Sequence, residues 1–102
     1  MVNSDFIFEV EQAISAYEAA NNRVASRTRE MFTHHNNDYV LVLSLLMKSP
    51  DLQQGFKVLR DTNQLEKTFE AVILRHKELF ETEVIEVAQW RLSHPNDLLE
   101  FF

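Results

Sequence analysis

The stretch YVLVLSLLM, residues Tyr39–Met47, decides the fold. Ser44 is its only polar residue apart from the tyrosine hydroxyl. A run that is apolar almost all round predicts an element buried on every side. Its valines would also suit a buried strand, but a lone strand has no pairing partner in this sequence. We therefore predict a helix at the centre of the molecule.

Turn residues are scarce in the rest of the chain. Its 102 residues include one glycine and two prolines. Sheets need turn residues, and hairpins need Gly, Asn or Asp at positive φ. We predict an all-α fold, a compact bundle of five to six helices in which shorter antiparallel helical hairpins pack along a long N-terminal helix. The length predicts a single helical domain over 1–102.

The N-terminal helix is predicted to run from Ser4 to about Phe32. Neither Gly nor Pro interrupts it, and its apolar residues alternate at three- and four-residue spacing, as in a helix seam. The seam consists of Ile7, Val10, Ile14, Tyr17, Val24 and Met31, with Asn21 and Thr28 at its polar positions. Such a helix runs about 40 Å, which is long for a small domain. Either the rest of the chain packs along it, or part of the seam contacts a partner protein.

Asn21 has two interpretations. A buried Asn in a seam can set the register and oligomeric state of paired helices. The seam covers only about three heptads, so we favour the alternative, in which AANNR (19–23) is a solvent-facing or poorly packed turn.

Capping residues place the later helices. Their side-chain oxygens accept hydrogen bonds from free backbone N–H groups at a helix start. The predicted caps are one of Asn36, Asn37 and Asp38, then Ser49 before Pro50, Asn63 and Thr82. They predict a helix ending near Asp61, a continuous helix over 63–80 and a last helix over 83–92. The inward residues of the last helix are Val84, Ile85, Ala88 and Leu92.

The composition argues against several classes of function. The net charge of −6 argues against nucleic acid as the main partner, because backbone binding depends on Lys and Arg. Without cysteine there is no disulfide framework and no thiolate metal site. The longest apolar run is about half a membrane span, and MVNSDFIFEV lacks the regions of a secretory signal. We expect a cytoplasmic protein with no membrane partner and no cofactor.

The segment REMFTHHNND (29–38) is the most chemically suggestive. His34, His35 and Asp38 are potential metal ligands, but adjacent histidines in a loop point apart, and we predict no metal site. REMFTH resembles the Arg-x4-His pattern of HEPN-type ribonucleases, which are all-helical. That resemblance implies that Arg29 would steady a phosphate and His34 would act in general acid–base catalysis. His76 lies on the apolar stripe of its predicted helix. We therefore predict that its side chain is buried and hydrogen-bonded.

The last residues, PNDLLEFF (95–102), resemble the short peptides that insert a Leu and an aromatic pair into a sliding clamp, although the leading Gln is missing. The resemblance implies clamp binding through Leu98, Phe101 and Phe102. The alternative is that these residues fold back onto the end of the bundle.

No catalytic constellation stands out, so we predict a non-catalytic protein-interaction module: an adaptor, a regulatory subunit or an inhibitor of another protein. Self-association through the first helix, as a homodimer, is its simplest form. The predicted partner-binding residues are Ile7, Val10, Ile14, Tyr17, Asn21, Val24, Leu98, Phe101 and Phe102. The alternatives are a ribonuclease using Arg29 and His34, an immunity-type inhibitor that mimics charge at a basic site, and a clamp binder.

Overall fold

The computed structural model describes residues 4–48 and 52–96, and the regular structure in these ranges is helical throughout. Its α-helices are α1 (Ser4–Asn21), α2 (Ser26–His34), α3 (Tyr39–Met47), α4 (Leu52–Asp61), α5 (Phe69–Arg75) and α6 (Thr82–Ser93). Two 3-10 turns, Leu65–Lys67 and Lys77–Leu79, flank α5. The predicted all-α bundle with a long N-terminal helix is confirmed.

The first helix is shorter than predicted. It ends at Asn21 and not near Phe32, because Asn22 adopts a left-handed backbone with φ of 55°. The chain then turns a corner into α2, and the backbone N–H of Ala25 donates to Glu18 Oε2 at 2.8 Å. Within AANNR the turn is therefore at Asn22 and Arg23, while residues 19–21 are the last of α1.

The central helix α3 begins where the sequence predicts. Asp38 is its N-cap and accepts a hydrogen bond from the backbone N–H of Leu41 at 3.1 Å. Val42 and Leu43 are fully buried. Leu41 and Leu45 are exposed, however, so the expectation of a helix buried on every side is wrong. The rest of the described chain covers one side of α3 only.

The segment 63–80 is not one continuous helix. Asn63 has a left-handed backbone, with φ of 61°, and does not cap a helix. Thr68 is extended and caps α5, because its Oγ1 accepts from the Ala71 N–H at 3.1 Å and donates to the Leu65 carbonyl at 2.8 Å. This buried cap divides the segment and begins α5, whose buried residues are Glu70, Ala71, Val72 and Ile73.

The other predicted boundaries differ in outcome. The end of α4 at Asp61 is confirmed. Ser49 and Pro50, the predicted start of that helix, lie outside the described residues. At α6 the cap position is Glu81 and not Thr82, and the Glu81 side chain makes no capping hydrogen bond.

Every described residue with a positive φ is an asparagine: Asn22, Asn36, Asn37 and Asn63. Asparagine tolerates the left-handed region better than most residues do. In a chain with one glycine, it makes the turns that end α1, α2 and α4.

The core lies between α1, α3, α5 and α6. α1 packs against α4 and α5, while α6 packs against α5 and α3. The most deeply buried apolar side chains are Phe6, Val10, Val42, Leu43, Val72, Ile73 and Ala88. Burial of such side chains, each worth roughly 1.5–3 kcal/mol for the larger ones, supplies the driving force for folding.

The cap at Thr68 gives a testable prediction. We expect Thr68→Val to lower the free energy of unfolding by about 1–2 kcal/mol, because the Ala71 N–H loses its partner, while Thr68→Ser retains most of the stability. Urea denaturation followed by circular dichroism measures both. The control is Thr33→Val, since the Thr33 hydroxyl makes an exposed helical hydrogen bond to Arg29 O. Equal losses at both positions would contradict the capping role.

Candidate functional site

Large apolar side chains stay exposed on several helices. The exposed fractions are 61% for Phe8, 65% for Val24, 41% for Leu41, 36% for Leu45 and 39% for Trp90. Single exposed apolar residues are ordinary, but grouped ones mark contact surfaces. Leu41 and Leu45 are four residues apart, so they share one face of α3.

Trp90 is the exposed large apolar residue of α6, a helix that packs against α3. Its neighbour Arg91 donates from Nη2 to the carbonyl oxygen of Met47 at 3.0 Å, which ties α6 to the C-terminal end of α3. The Trp90 ring stacks on His94 with centroids 4.6 Å apart. We call Leu41, Leu45 and Trp90 the α3–α6 apolar surface.

The predicted seam of the first helix faces inward for much of its length. Val10 and Ile14 are buried in the chain's own core, because α4 and α5 cover this side of α1. They are therefore core residues, with no surface to offer a partner. Ile7 and Tyr17 are half-buried against that core, and the Tyr17 hydroxyl accepts from Asn21 Nδ2 at 3.2 Å.

The remaining predicted partner-binding residues are not brought together with these. Val24 is exposed, but it lies in the corner after α1 and not on the helix. Leu98, Phe101 and Phe102 lie outside the described residues.

Arg29 stabilises the corner between α1 and α2. It binds Glu18 with two hydrogen bonds, Nε to Oε2 at 2.8 Å and Nη2 to Oε1 at 2.6 Å. The bonds from Arg29, helped by the Ala25 N–H and opposed by partial burial, lower the pKa of Glu18 to about 2. The same contact raises the pKa of Arg29. A carboxylate held by three N–H donors fixes the corner.

The two residues of the ribonuclease-like pattern lie apart. Five residues on a helix correspond to about 140° around its axis, so Arg29 and His34 occupy different faces of α2. The Arg29 guanidinium is engaged with Glu18. His34 is exposed, and its ring meets the edge of the His35 ring at a centroid distance of 5.0 Å.

Potential metal ligands do not converge in the described ranges. Among residues 4–48 and 52–96, no three or more His, Asp or Glu side chains are arranged to hold a metal ion. His34 ends α2, His35 follows as its C-cap, and Asp38 is occupied in capping α3. All three residues therefore lie at the ends of helices.

A buried ion pair, missed from the sequence, joins three helices. Arg91 Nη1 donates to Glu70 Oε2 at 3.0 Å, and the side chains are only 8% and 1% exposed. Burial raises the pKa of Glu70, and Arg91 opposes that rise. The spacing of Val84, Ala88 and Arg91 is that of one helix face, so position 91 could have been assigned to the core.

His76 forms a second polar cluster, between α1 and α5. Its Nε2 lies 2.8 Å from Glu9 Oε2, and Arg75 also pairs with Glu9. Burial tends to raise the pKa of Glu9, but hydrogen bonds from His76 and Arg75 lower it overall. The His76 ring packs edge-on against Phe6 at 5.2 Å. The prediction of a buried, hydrogen-bonded His76 is confirmed.

A small cleft lies between α1, α2 and α4. Its volume is 60 Å³, and small side chains leave it open. Its lining consists of Ala13, Ile14, Tyr17, Ala25, Thr28, Gly55, Leu59 and Phe69. Gly55 lies beside the Tyr17 ring, where an added Cβ would meet Cδ1 at 3.5 Å, an ordinary contact.

Comparisons of the chain with protein families, curated proteins and solved structures found no match. In the described part of the chain, none of the helices combines the length and the apolar character that crossing a membrane requires. The surface and the buried polar groups are therefore the features that bear on function.

The buried ion pair gives a prediction about stability. We expect Arg91→Met to lower the free energy of unfolding by about 3–5 kcal/mol, because Glu70 is left as an uncompensated buried charge. Arg91→Met combined with Glu70→Leu should recover most of the loss. Urea denaturation of both single variants and the double variant completes the mutant cycle.

The pH dependence of the Arg91→Met variant checks the cause. The pKa of Glu70 is raised in the folded protein, so protonation favours the folded state, and stability should increase as the pH falls towards the ordinary value of 4.5. A variant that loses no stability at neutral pH would contradict an energetically coupled pair.

The corner contact predicts a pH effect of opposite sign. Glu18 has a pKa of about 2 in the folded chain against an ordinary value of 4.5, so its stabilisation is complete above pH 4.5 and disappears as the pH falls towards 2. We expect Glu18→Gln to flatten this part of the profile. Thermal melts from pH 2 to 6 measure it, with Glu30→Gln on α2 as the control. A profile that Glu18→Gln leaves unchanged would exclude the contact as its source.

Proposed function

We propose that this chain is a small, acidic, non-catalytic module that binds another protein in the cytoplasm, as an adaptor, a regulatory subunit or an inhibitor. The α3–α6 apolar surface is the observation that carries the proposal. Its two leucines and its tryptophan are exposed on α3 and α6, two helices that the buried Arg91 joins through its hydrogen bond to the Met47 carbonyl. Rigid apolar anchors of this kind, tryptophan above all, dominate binding energy at protein interfaces.

The charges beside this surface indicate the chemistry of the partner. Glu83 and Glu86 are exposed on α6, seven and four residues before Trp90, and so lie on the same helix face. A matching surface would have an apolar centre and a basic rim. Complementary charge of this kind increases the association rate and sets specificity.

A charge-mimic inhibitor is the second candidate, and the positions of the carboxylates favour it. Glu78, Glu81, Glu83 and Glu86 are all exposed within nine residues. A basic site could be occupied by this acidic segment alone. The two candidates differ in salt dependence, because exposed charge pairs are screened by salt while apolar burial is not.

The other hypotheses gain no support from the geometry. The ribonuclease hypothesis needs Arg29 and His34 in one cleft, and Arg29 is engaged with Glu18 instead. The clamp-binding hypothesis depends on Leu98, Phe101 and Phe102, outside the described residues, and stays a prediction from sequence.

Quantitative capture from native lysate tests the proposed function. We expect Leu45→Ser and Trp90→Ala each to reduce the capture of one specific protein by about tenfold or more. Val24→Ser is the control, because Val24 is also apolar and is more exposed, at 65%, but lies in the α1–α2 corner. Circular dichroism verifies that each variant is folded.

The outcomes separate the candidates. Capture that persists at roughly 1 M salt but is lost in the Trp90→Ala variant supports binding through the α3–α6 apolar surface. Capture that is lost at this salt concentration, and also when all four glutamates are replaced by glutamine, supports the charge-mimic inhibitor. Capture that is unaffected by Leu45→Ser and Trp90→Ala would overturn the proposal for this surface.

A further inference from the structure

The outer face of α1 is a continuous surface stripe. It consists of Asp5, Phe8, Glu11, Gln12, Ser15 and Ala19, all exposed. At 100° per residue, Phe8 lies at its centre, opposite the buried side that includes Val10 and Ile14. We call these six residues the α1 stripe.

The N-terminal half of the stripe is acidic, and a base follows its C-terminal end. Asp5 lies in the first turn of α1 and Glu11 in its middle, while Arg23 is exposed two residues after α1 ends at Asn21. Glu18, near that C-terminal end, is neutralised by Arg29. The C-terminal half of the stripe consists of Ser15 and Ala19, whose small side chains let another helix approach closely. Along α1, the acidic half of the stripe, which includes Phe8, is thus followed by a half with small side chains and then by the base Arg23.

We propose that two copies of this chain associate through the α1 stripe, with their α1 helices antiparallel across a two-fold axis. Phe8 of each copy then lies over the partner's Ala19. In that register Gln12 lies opposite the partner's Ser15, and Asp5 lies beside the partner's Arg23. A two-fold axis makes every contact twice, so one stripe supplies both halves of the interface.

Charge complementarity identifies a second copy as the occupant. Asp5 lies at one end of α1 and Arg23 just beyond the other, so they meet across the interface only when the helices are antiparallel, and this orientation also opposes the helix dipoles favourably. Self-association through the α3–α6 apolar surface would instead bring Glu83 and Glu86 of both copies together. The overall charge of −6 per copy is screened beyond about 8 Å at physiological ionic strength, so local pairs decide the contact.

This inference goes beyond the proposed function and gives the self-association expected from the sequence a surface different from the predicted seam. The seam residues Val10 and Ile14 are buried, whereas Phe8 on the other side of the same helix is 61% exposed. The α1 stripe and the α3–α6 apolar surface are tested by different residues.

Sedimentation equilibrium of the full chain, from micromolar to millimolar concentration, tests the inference. We expect a monomer–dimer equilibrium whose dissociation constant rises about tenfold or more with Phe8→Ala, because an aromatic residue at the centre of an interface is a typical hot spot. Trp90→Ala is the matched control and should leave the dissociation constant unchanged.

Charge reversal tests the orientation of the helices. Asp5→Arg and Arg23→Asp should each weaken the dimer, because like charges then meet twice. Mixing the two variants should restore dimerisation, since the mixed dimer again places an opposite charge at both contacts. A parallel arrangement, or contact through another surface, gives no such rescue on mixing. Thermal melts of each variant verify that α1 remains folded.

Each result decides between outcomes. A strict monomer at millimolar concentration overturns the inference, as does a dimer that Trp90→Ala weakens and Phe8→Ala does not. Neither result removes the proposed binding of another protein, which the capture experiment with Leu45→Ser measures separately. Loss of specific capture with an intact Phe8-dependent dimer would leave self-association as the only interaction of the chain.

Discussion

The ion pair between Arg91 and Glu70 is the contact on which the arrangement of α3, α5 and α6 depends. A charge removed from water is tolerated only where its partners are correctly placed, so this contact restricts geometry more than it adds stability. Arg91 meets that condition with the Glu70 carboxylate and the Met47 carbonyl, at the C-terminal end of a helix where a cation is favourable. The contact therefore also fixes the positions from which the exposed side chains of α3 and α6 project. A binding surface on rigid helices loses less conformational entropy when a partner binds.

Local signals in the sequence predict several elements correctly, because the forces that create them act within a few residues. The Asp38 cap is one example, since its carboxylate reaches the Leu41 N–H three residues on. The corner at Asn22 is different. It is fixed by Glu18 contacting Ala25 and Arg29, seven and eleven residues away. A regular apolar spacing passes through this corner without interruption, and so a single long helix was predicted.

The candidate surface shows why periodicity predicts burial better than function. A seam of apolar residues identifies the side of a helix that avoids water, and Val10 and Ile14 do so here. It does not identify what covers them, and α4 and α5 of the same chain do. Arg91 is missed for a related reason: its charge suggests an exposed residue, although its spacing from Ala88 is that of a core position. Both outcomes depend on tertiary contacts that the sequence pattern does not contain.

The asparagines that make the turns have a consequence for the unfolded chain. Glycine reaches the left-handed region without steric cost, but it also has the greatest freedom to lose when the chain folds. Asn22 and Asn63 reach that region while carrying a side chain that restricts the backbone before folding. The corners of this bundle therefore form from a stiffer ensemble than glycine corners would, and the entropy lost at each turn is smaller. A small core then has less disorder to overcome.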